Sequence, residues 1–146
     1  MTTATLSRAD SELASALRIC VMRLARRLRN QRSNDALTIS QLAALASLDR
    51  HGAMTPGELA AHEKVQPPSM TRILDKLEQL GLVERAPHPT DRRQVMVIPT
   101  PRAKAMLRED RRRRDAWLAT RLRMLTSTER DTLRAAASIL ERLAQA

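Results

Sequence analysis

Between Gln66 and Thr100, a helical pattern is followed directly by two short β-like runs. Pro67 suits the first turn of a helix, because its φ is already helical and its missing N–H would have no intrahelical partner. Gly81 suits the left-handed residue that ends a helix. Apolar residues recur at spacings of three and four between these two positions, which predicts an amphipathic helix over residues 67–80. The apolar positions are Met70, Ile73, Leu74, Leu77 and Leu80.

The opposite face of this helix is rich in short hydroxyls, amides and long cations. Such side chains bond base edges and phosphates when a helix enters the major groove of DNA. The same pattern also fits an ordinary amphipathic surface helix, so the helix by itself does not decide between the two interpretations. The positions on this face are Pro68, Ser69, Thr71, Arg72, Asp75, Lys76 and Gln79.

The two β-like runs, residues 82–86 and 94–98, predict a hairpin after Gly81. The turn between them contains proline and ends in Arg92 and Arg93. A protruding basic turn suits a minor groove, where narrow A·T tracts concentrate negative potential. We therefore expect the helix over residues 67–80 to read one groove of duplex DNA and the wing, residues 87–94, to enter the neighbouring one.

A short helix just before this stretch completes a helix-turn-helix pattern. Thr55, Pro56 and Glu58 form a capping-box signature with proline at the first helical position. The helix that it opens should end near Glu63, and three residues then link it to Pro67. A short helix, a tight link and a second helix with an exposed polar face is the order of a helix-turn-helix.

Four further helices are predicted outside this pattern. They cover about residues 11–32, residues 39–50 after the cap Thr38, residues 101–124, and the C-terminal residues after the cap Thr126. The first and last helices are amphipathic, and one small lobe cannot cover both of their apolar stripes. We therefore expect them to pack against the same helices of a second copy in an isologous interface.

The net charge is +10 with a pI near 11.5, which favours a polyanionic partner and above all nucleic acid. The surplus lies mainly near the ends. Residues 1–34 contain seven basic and two acidic groups and residues 101–125 nine and three, whereas residues 64–93 contain six and four. Arg111 to Arg114 span a full helical turn, so they cannot all face a buried seam. The charge near the ends is open to three interpretations: flanking phosphates, an acidic ligand, or solubility.

The run PPSMTRILDKLEQLGLVER, the DRR of the wing and the segment IPTPRAKA follow one another in an order that resembles the MarR family of bacterial transcriptional regulators. The resemblance covers nearly the whole chain in outline. It implies a mainly α fold with a small β-hairpin wing: a winged helix-turn-helix lobe over residues 38–100, with N-terminal (8–34) and C-terminal (101–146) dimerisation helices. One departure is the segment Pro101 to Ala103, which replaces a common glycine at the junction of wing and helix.

The resemblance also implies a function and a set of DNA contacts. Members form homodimers that bind palindromic duplex operators and usually repress transcription until a small ligand or an oxidant releases the DNA. Asp91 is expected to orient an arginine rather than to touch DNA itself. Together with Pro68 on the same helix face, the residues carried over are Ser69, Thr71, Arg72 and Lys76 on the helix and Asp91, Arg92 and Arg93 in the wing.

Composition narrows the class of partner and the location. Trp117 is the single aromatic residue, which disfavours binding of single strands or RNA by base stacking and favours duplex DNA. One cysteine excludes an intramolecular disulfide and fits a reducing interior. A signal peptide and a membrane-spanning run are both absent from the sequence, so we expect a cytoplasmic protein.

Metal binding, cofactor binding and catalysis find no support in the sequence. The three histidines, His51, His62 and His88, are scattered and lack metal-ligand spacing. The three glycines are ungrouped, so no phosphate loop is visible, and no nucleophile is paired with a base. We therefore expect a protein that is not an enzyme.

Three features leave alternatives open. Arginine-rich flanks suit a small anionic or aromatic effector, but no motif names it. Cys20 lies near arginines as an oxidant sensor would, although its position beside Leu17, Val21 and Leu24 favours a buried structural cysteine. A helical protein-protein adaptor with basic end helices would explain the end charge better, and the polar helix face and arginine-tipped wing worse. The operator, the direction of regulation and the regulated genes are not encoded in any pattern found.

Overall fold

The computed structural model describes residues 7–32 and 37–146. Helices and strands follow along the chain in an order that confirms the predicted mainly helical fold with one β-hairpin. They are α1 (Arg8–Arg29), α2 (Ile39–His51), α3 (Pro56–Glu63), α4 (Pro67–Gln79), β1 (Val83–Pro87), β2 (Val95–Pro99), α5 (Pro101–Leu122) and α6 (Ser127–Gln145). No helix in the described parts of the chain is long and apolar enough to cross a membrane.

Local capping chemistry determines most helix boundaries. Capping boxes, in which the cap side chain and the third helical residue exchange hydrogen bonds with each other's backbone, open α2, α3 and α6. The first helix was predicted from residue 11 but begins at Arg8, because the Ser7 hydroxyl accepts a hydrogen bond from the Asp10 backbone N–H. It also ends earlier than predicted, at Arg29. The capping pairs are Thr38 with Gln41, Thr55 with Glu58, and Thr126 with Glu129.

The chain divides into two compact units, here called the winged unit (residues 33–111) and the helical unit (residues 1–32 and 112–146). Helix α5 supplies residues to both. The helical unit contains 15 basic and 6 acidic residues, a net charge of +9. The winged unit contains 11 basic and 10 acidic residues, a net charge of +1. Nearly all of the surplus positive charge therefore lies outside the winged unit.

The winged unit has a continuous apolar core. Helices α2, α3 and α4 pack on one another, α2 and α3 also contact β2, and α4 contacts β1. Antiparallel pairing of the hairpin runs from Val83 opposite Pro99 to Pro87 opposite Val95. The largest apolar side chains that are fully buried are Leu45, Leu48, Leu59, Met70, Leu74, Leu77 and Val97.

A third backbone segment pairs with the hairpin, which the sequence did not predict. The Val97 N–H donates to the Met54 carbonyl at 2.7 Å, and the Met54 N–H donates back at 3.3 Å. One paired residue between α2 and α3 is too short to show the alternation that marks a strand. The bridge fastens the chain immediately before α3 to β2.

The helical unit lacks a comparable core. Neither α1 nor α6 contains a buried residue. Apolar side chains at their predicted stripes remain exposed, among them Leu13 at 59% and Leu143 at 61%. Trp117 of α5 lies near two guanidinium groups, that of Arg121 at 3.7 Å from the ring centroid and that of Arg27 at 5.8 Å. Both distances suit cation–π interactions.

The expectation that Cys20 is buried is wrong for the single chain. Cys20 is exposed. Its neighbours Leu17, Val21 and Leu24 are exposed as well, at 38, 49 and 43%. The periodicity of α1 correctly placed Cys20 beside an apolar stripe, but the other described parts of the unit cover that stripe only in part.

Candidate nucleic-acid interface

The core determines which face of α4 is presented to solvent. Met70, Leu74 and Leu77 are buried, and Ile73 and Leu80 pack partly against the same core. Because these five positions recur at spacings of three and four, the rest of the helix circumference must face outward. The helix starts at Pro67 with a second proline in its first turn. Its face opposite the core is therefore fixed by packing rather than by a partner.

The polar positions predicted from the sequence share this outward face. Pro68, Ser69, Thr71, Arg72 and Lys76 are all exposed. The Thr71 hydroxyl donates to the Pro67 carbonyl at 3.1 Å, so it retains accepting capacity toward a ligand. Within the described residues, the Arg72 and Lys76 side chains form no ion pair or hydrogen bond. Two cations one helical turn apart are thus available to an anionic partner.

The two carboxylates on α4 are held by Arg85, a residue that was not among the predicted site residues. Arg85 of β1 donates from Nη2 to Asp75 Oδ1 at 2.9 Å and from Nε to Glu78 Oε2 at 2.7 Å. These two ion pairs to one guanidinium are here called the Arg85 clasp. Acidic residues three apart on a helix, with an arginine in the next strand, are a sequence signal for such an arrangement. The sequence could not establish it, because the packing of helix against strand sets the distance.

The C-terminal end of α4 is held by the segment that departs from the family pattern. Arg102 Nη1 donates to the Leu80 carbonyl at 3.1 Å, where the last carbonyls of a helix lack intrahelical partners. The Thr100 hydroxyl donates to the Gly81 carbonyl at 2.8 Å, and Gly81 adopts the left-handed conformation with φ 71°. The cation of Arg102 also complements the negative end of the helix dipole. This segment therefore joins α4, the hairpin and α5.

The turn of the wing is built on two side chains. His88 Nδ1 accepts hydrogen bonds from the backbone N–H groups of Thr90 and Asp91 at 3.2 and 3.0 Å. Asp91 Oδ1 accepts from the Arg93 backbone N–H at 3.0 Å, and Oδ2 accepts from the Gln94 side-chain amide at 3.2 Å. Asp91 was expected to orient an arginine. Its contact is with the Arg93 backbone, so it shapes the turn that presents the arginine.

The arginines at the wing tip face solvent. Arg92 and Arg93 are exposed, and neither side chain has an ionic or hydrogen-bonding partner within residues 7–32 and 37–146. The β1 and β2 pairing and the contacts of α4 with β1 place α4 and the wing in one packed unit. Two surfaces with unpaired cations thus belong to one packed unit, an arrangement that suits a polyanion with two neighbouring grooves.

The remaining candidates for chemistry do not form a second site of that kind. In the described parts of the chain, no group of three histidine, cysteine or carboxylate residues could hold a metal ion. The rings of His51 and His62 lie 4.7 Å apart, and the Ser47 hydroxyl donates to the Glu63 carboxylate. These contacts tie the C-terminal ends of α2 and α3 together, and no sequence pattern predicts them because they join separate helices.

Comparison with known proteins agrees with this geometry. The model of the MarR family matches residues 37–95. An HTH-type transcriptional regulator of Mycobacterium tuberculosis is 48% identical over 131 residues, which cover 90% of this chain and 92% of the relative. The HTH-type transcriptional repressor MdtR of Bacillus subtilis is 30% identical over 136 residues, which cover 93% of this chain and 86% of the relative.

A solved structure shows the same fold. A MarR family protein from Bacillus stearothermophilus superposes with a TM-score of 0.80 at 25% identity, covering 98% of this chain and 100% of that one. The relatives that match are transcriptional regulators rather than enzymes. With the winged helix-turn-helix, the exposed face of α4 and the matches over almost its full length, the chain belongs to the MarR family of DNA-binding transcriptional regulators.

Proposed function

We propose that this protein is a homodimeric repressor that binds a palindromic duplex operator and is released from it by a small ligand. Pro68, Ser69, Thr71, Arg72 and Lys76 would enter the major groove, and Arg92 and Arg93, presented by Asp91, would enter the minor groove. The observation that supports this best is the set of unpaired cations on α4 and the wing, held on one packed unit. Repression is favoured by the relative MdtR, which is named a repressor.

A second copy is favoured by the exposed apolar stripes of the helical unit. The α1 and α6 helices have no buried residue, yet Leu17, Leu133 and Leu140 lie on their apolar stripes. Burial of apolar surface is the main favourable term in protein association, so an isologous interface would cover these stripes. A dimer would also place two copies of α4 about 34 Å apart, the distance between successive major grooves on one face of DNA.

The effector proposed is a small anionic or aromatic molecule. The helical unit has a net charge of +9, which attracts anions. Trp117 with the nearby Arg27 and Arg121 provides an aromatic surface beside guanidinium groups, which are the partners of a planar carboxylate or phenolate. The same charge is the observation that favours the second candidate, an adaptor that binds an acidic protein.

Selection of bound sequences from a pool of random duplexes at near-physiological salt tests the proposal. We expect an inverted repeat with half-sites one helical turn apart, and light scattering should give twice the 16.4 kDa chain mass. A mass of one chain at micromolar concentration would contradict the dimer. Retention of every sequence alike, abolished by salt, would contradict operator recognition and would favour the adaptor.

A further inference from the structure

We infer that Arg85 is a positioning residue for DNA recognition: it neutralises Asp75 and Glu78, the two carboxylates of α4, and thereby leaves Arg72 free for DNA. The inference rests on the DNA-binding role proposed for α4. It assigns to β1 a role in recognition that the exposed face of α4 does not reveal when the helix is considered alone.

The guanidinium of Arg85 forms ion pairs with two carboxylates at once. Nη2 of Arg85 lies 2.9 Å from Asp75 Oδ1, and Nε lies 2.7 Å from Glu78 Oε2. Arg85 is held in the hairpin opposite Val97, a fully buried residue, so the backbone that carries the guanidinium is anchored. The Arg85 side chain is 32% exposed, against 55% for Asp75 and 46% for Glu78.

The position of Asp75 explains why the clasp matters for recognition. Asp75 follows Arg72 by three residues and Thr71 by four, so all three side chains neighbour one another on the outward face of α4. In the absence of Arg85, the Asp75 carboxylate could pair with Arg72 instead. An unpaired carboxylate on this face would also repel the phosphates of an approaching duplex. The Arg85 clasp removes both effects.

The Arg85 ion pairs should contribute little to folding stability. All three side chains are about one-third exposed or more, and ion pairs of this kind contribute little to the free energy of unfolding. Removal of Arg85 should therefore leave a folded winged unit whose recognition face is altered in charge. This makes DNA affinity, measured on the folded protein, the informative readout.

The test compares three variants with the wild-type protein on the selected operator, by fluorescence anisotropy across a range of salt concentrations. Arg85→Ala should bind about tenfold more weakly. The double variant Asp75→Asn with Glu78→Gln should bind at least as tightly as wild type, because it lacks the charges that need neutralising. Adding this double change to Arg85→Ala should restore affinity close to the wild-type value.

Two controls separate failure of the inference from failure of the proposed function. Arg8→Ala removes another exposed Arg–Glu pair, at 3.0 Å from Glu12 in α1, and should leave affinity unchanged. Arg72→Ala should weaken binding whether or not Arg85 acts as inferred. Thermal melting of each variant confirms that the winged unit is folded.

Three results would overturn the inference while the proposed function stands. Arg85→Ala could bind as wild type does while Arg72→Ala is weakened. The loss in Arg85→Ala could persist in the triple variant, which would mean that Arg85 itself contacts DNA. The double variant could bind as poorly as Arg85→Ala. The ion pairs would then act by holding α4 against β1 and not by neutralising the carboxylates. If Arg72→Ala also binds as wild type does, the proposed function fails and the inference fails with it.

Discussion

The winged unit and the helical unit differ in net charge and in packing, and the unit with the DNA-binding fold is the less basic of the two. The winged unit, which belongs to the DNA-binding fold, has a net charge of +1 and a complete apolar core. The helical unit has a net charge of +9, and its helices α1 and α6 bury no residue. Under the proposed function, this difference means that sequence recognition depends on the unpaired cations of α4 and the wing, whereas the charge of the helical unit adds sequence-independent attraction.

The strongest test of this comparison concerns the core. Leu77→Ala, at a fully buried position of α4, should lower the free energy of unfolding by about 2 to 5 kcal/mol, because it removes apolar contacts and leaves a cavity. Urea unfolding followed by circular dichroism would measure it. Met124→Ala, at a position 84% exposed, is the control and should change the value by less than about 0.5 kcal/mol. Equal effects at both positions would contradict the division into a packed and an open region.

The proposed dimer predicts the next largest effect. Leu140→Asp places a charge in the apolar stripe of α6, and we expect a monomeric protein whose operator affinity falls about a hundredfold, because paired half-sites no longer act together. Ser138→Asp, on the opposite side of the same helix, should leave the mass and the affinity unchanged. Light scattering and DNA titration measure the two quantities. A dimer that persists in Leu140→Asp would place the interface elsewhere.

Single cations on the two units should behave differently. Arg72→Ala should cost about 1 to 3 kcal/mol of operator binding if it bonds a base, and should relax the preference at that base pair. Arg123→Ala removes an exposed cation of the helical unit and should leave sequence preference unchanged. Titration of each variant with operator and non-operator duplexes at several salt concentrations measures affinity and sequence preference. A loss of sequence preference in Arg123→Ala would mean that the helical unit also takes part in recognition.

The junction at the end of α4 predicts a smaller effect. Arg102→Ala removes a hydrogen bond to the Leu80 carbonyl and a cation at the helix C-terminus. The free energy of unfolding should therefore fall by about 1 kcal/mol. Arg102→Lys keeps the charge and should recover part of the loss. Denaturant midpoints measure the change, and an unaltered midpoint in Arg102→Ala would show that the contact does not stabilise the fold.

The smallest effect is expected at Cys20. It is exposed in the single chain, but its apolar neighbours on α1 belong to the stripe that a second copy would cover. Cys20→Ser should therefore bind the operator as wild type does, with or without peroxide. If peroxide releases DNA from the wild type and not from Cys20→Ser, the protein is an oxidant sensor and the ligand-release proposal must be revised.

Much of the secondary structure could be predicted because its causes are local. The caps Thr38, Thr55 and Thr126 act on residues within one turn of themselves, and Gly81 takes its left-handed conformation at the predicted end of α4. Both ends of α1 were misplaced, the start because the cap at Ser7 was not recognised, and the two strands lie one residue later than predicted. The positions named for DNA contact on α4 face outward, and their role in binding remains a prediction.

Contacts between separate helices and strands could not be predicted from the sequence. Periodicity reports which face of a helix is apolar, but it does not say whether another element covers that face, and for this reason the burial of Cys20 was misjudged. The clasp of Arg85, the cap from Arg102 and the bridge of Met54 to Val97 join separate elements. The sequence alone thus determined the elements, the outward face of α4 and the family resemblance. Tertiary packing decided which cations are paired and which stay free, because those distances depend on how helix and strand meet.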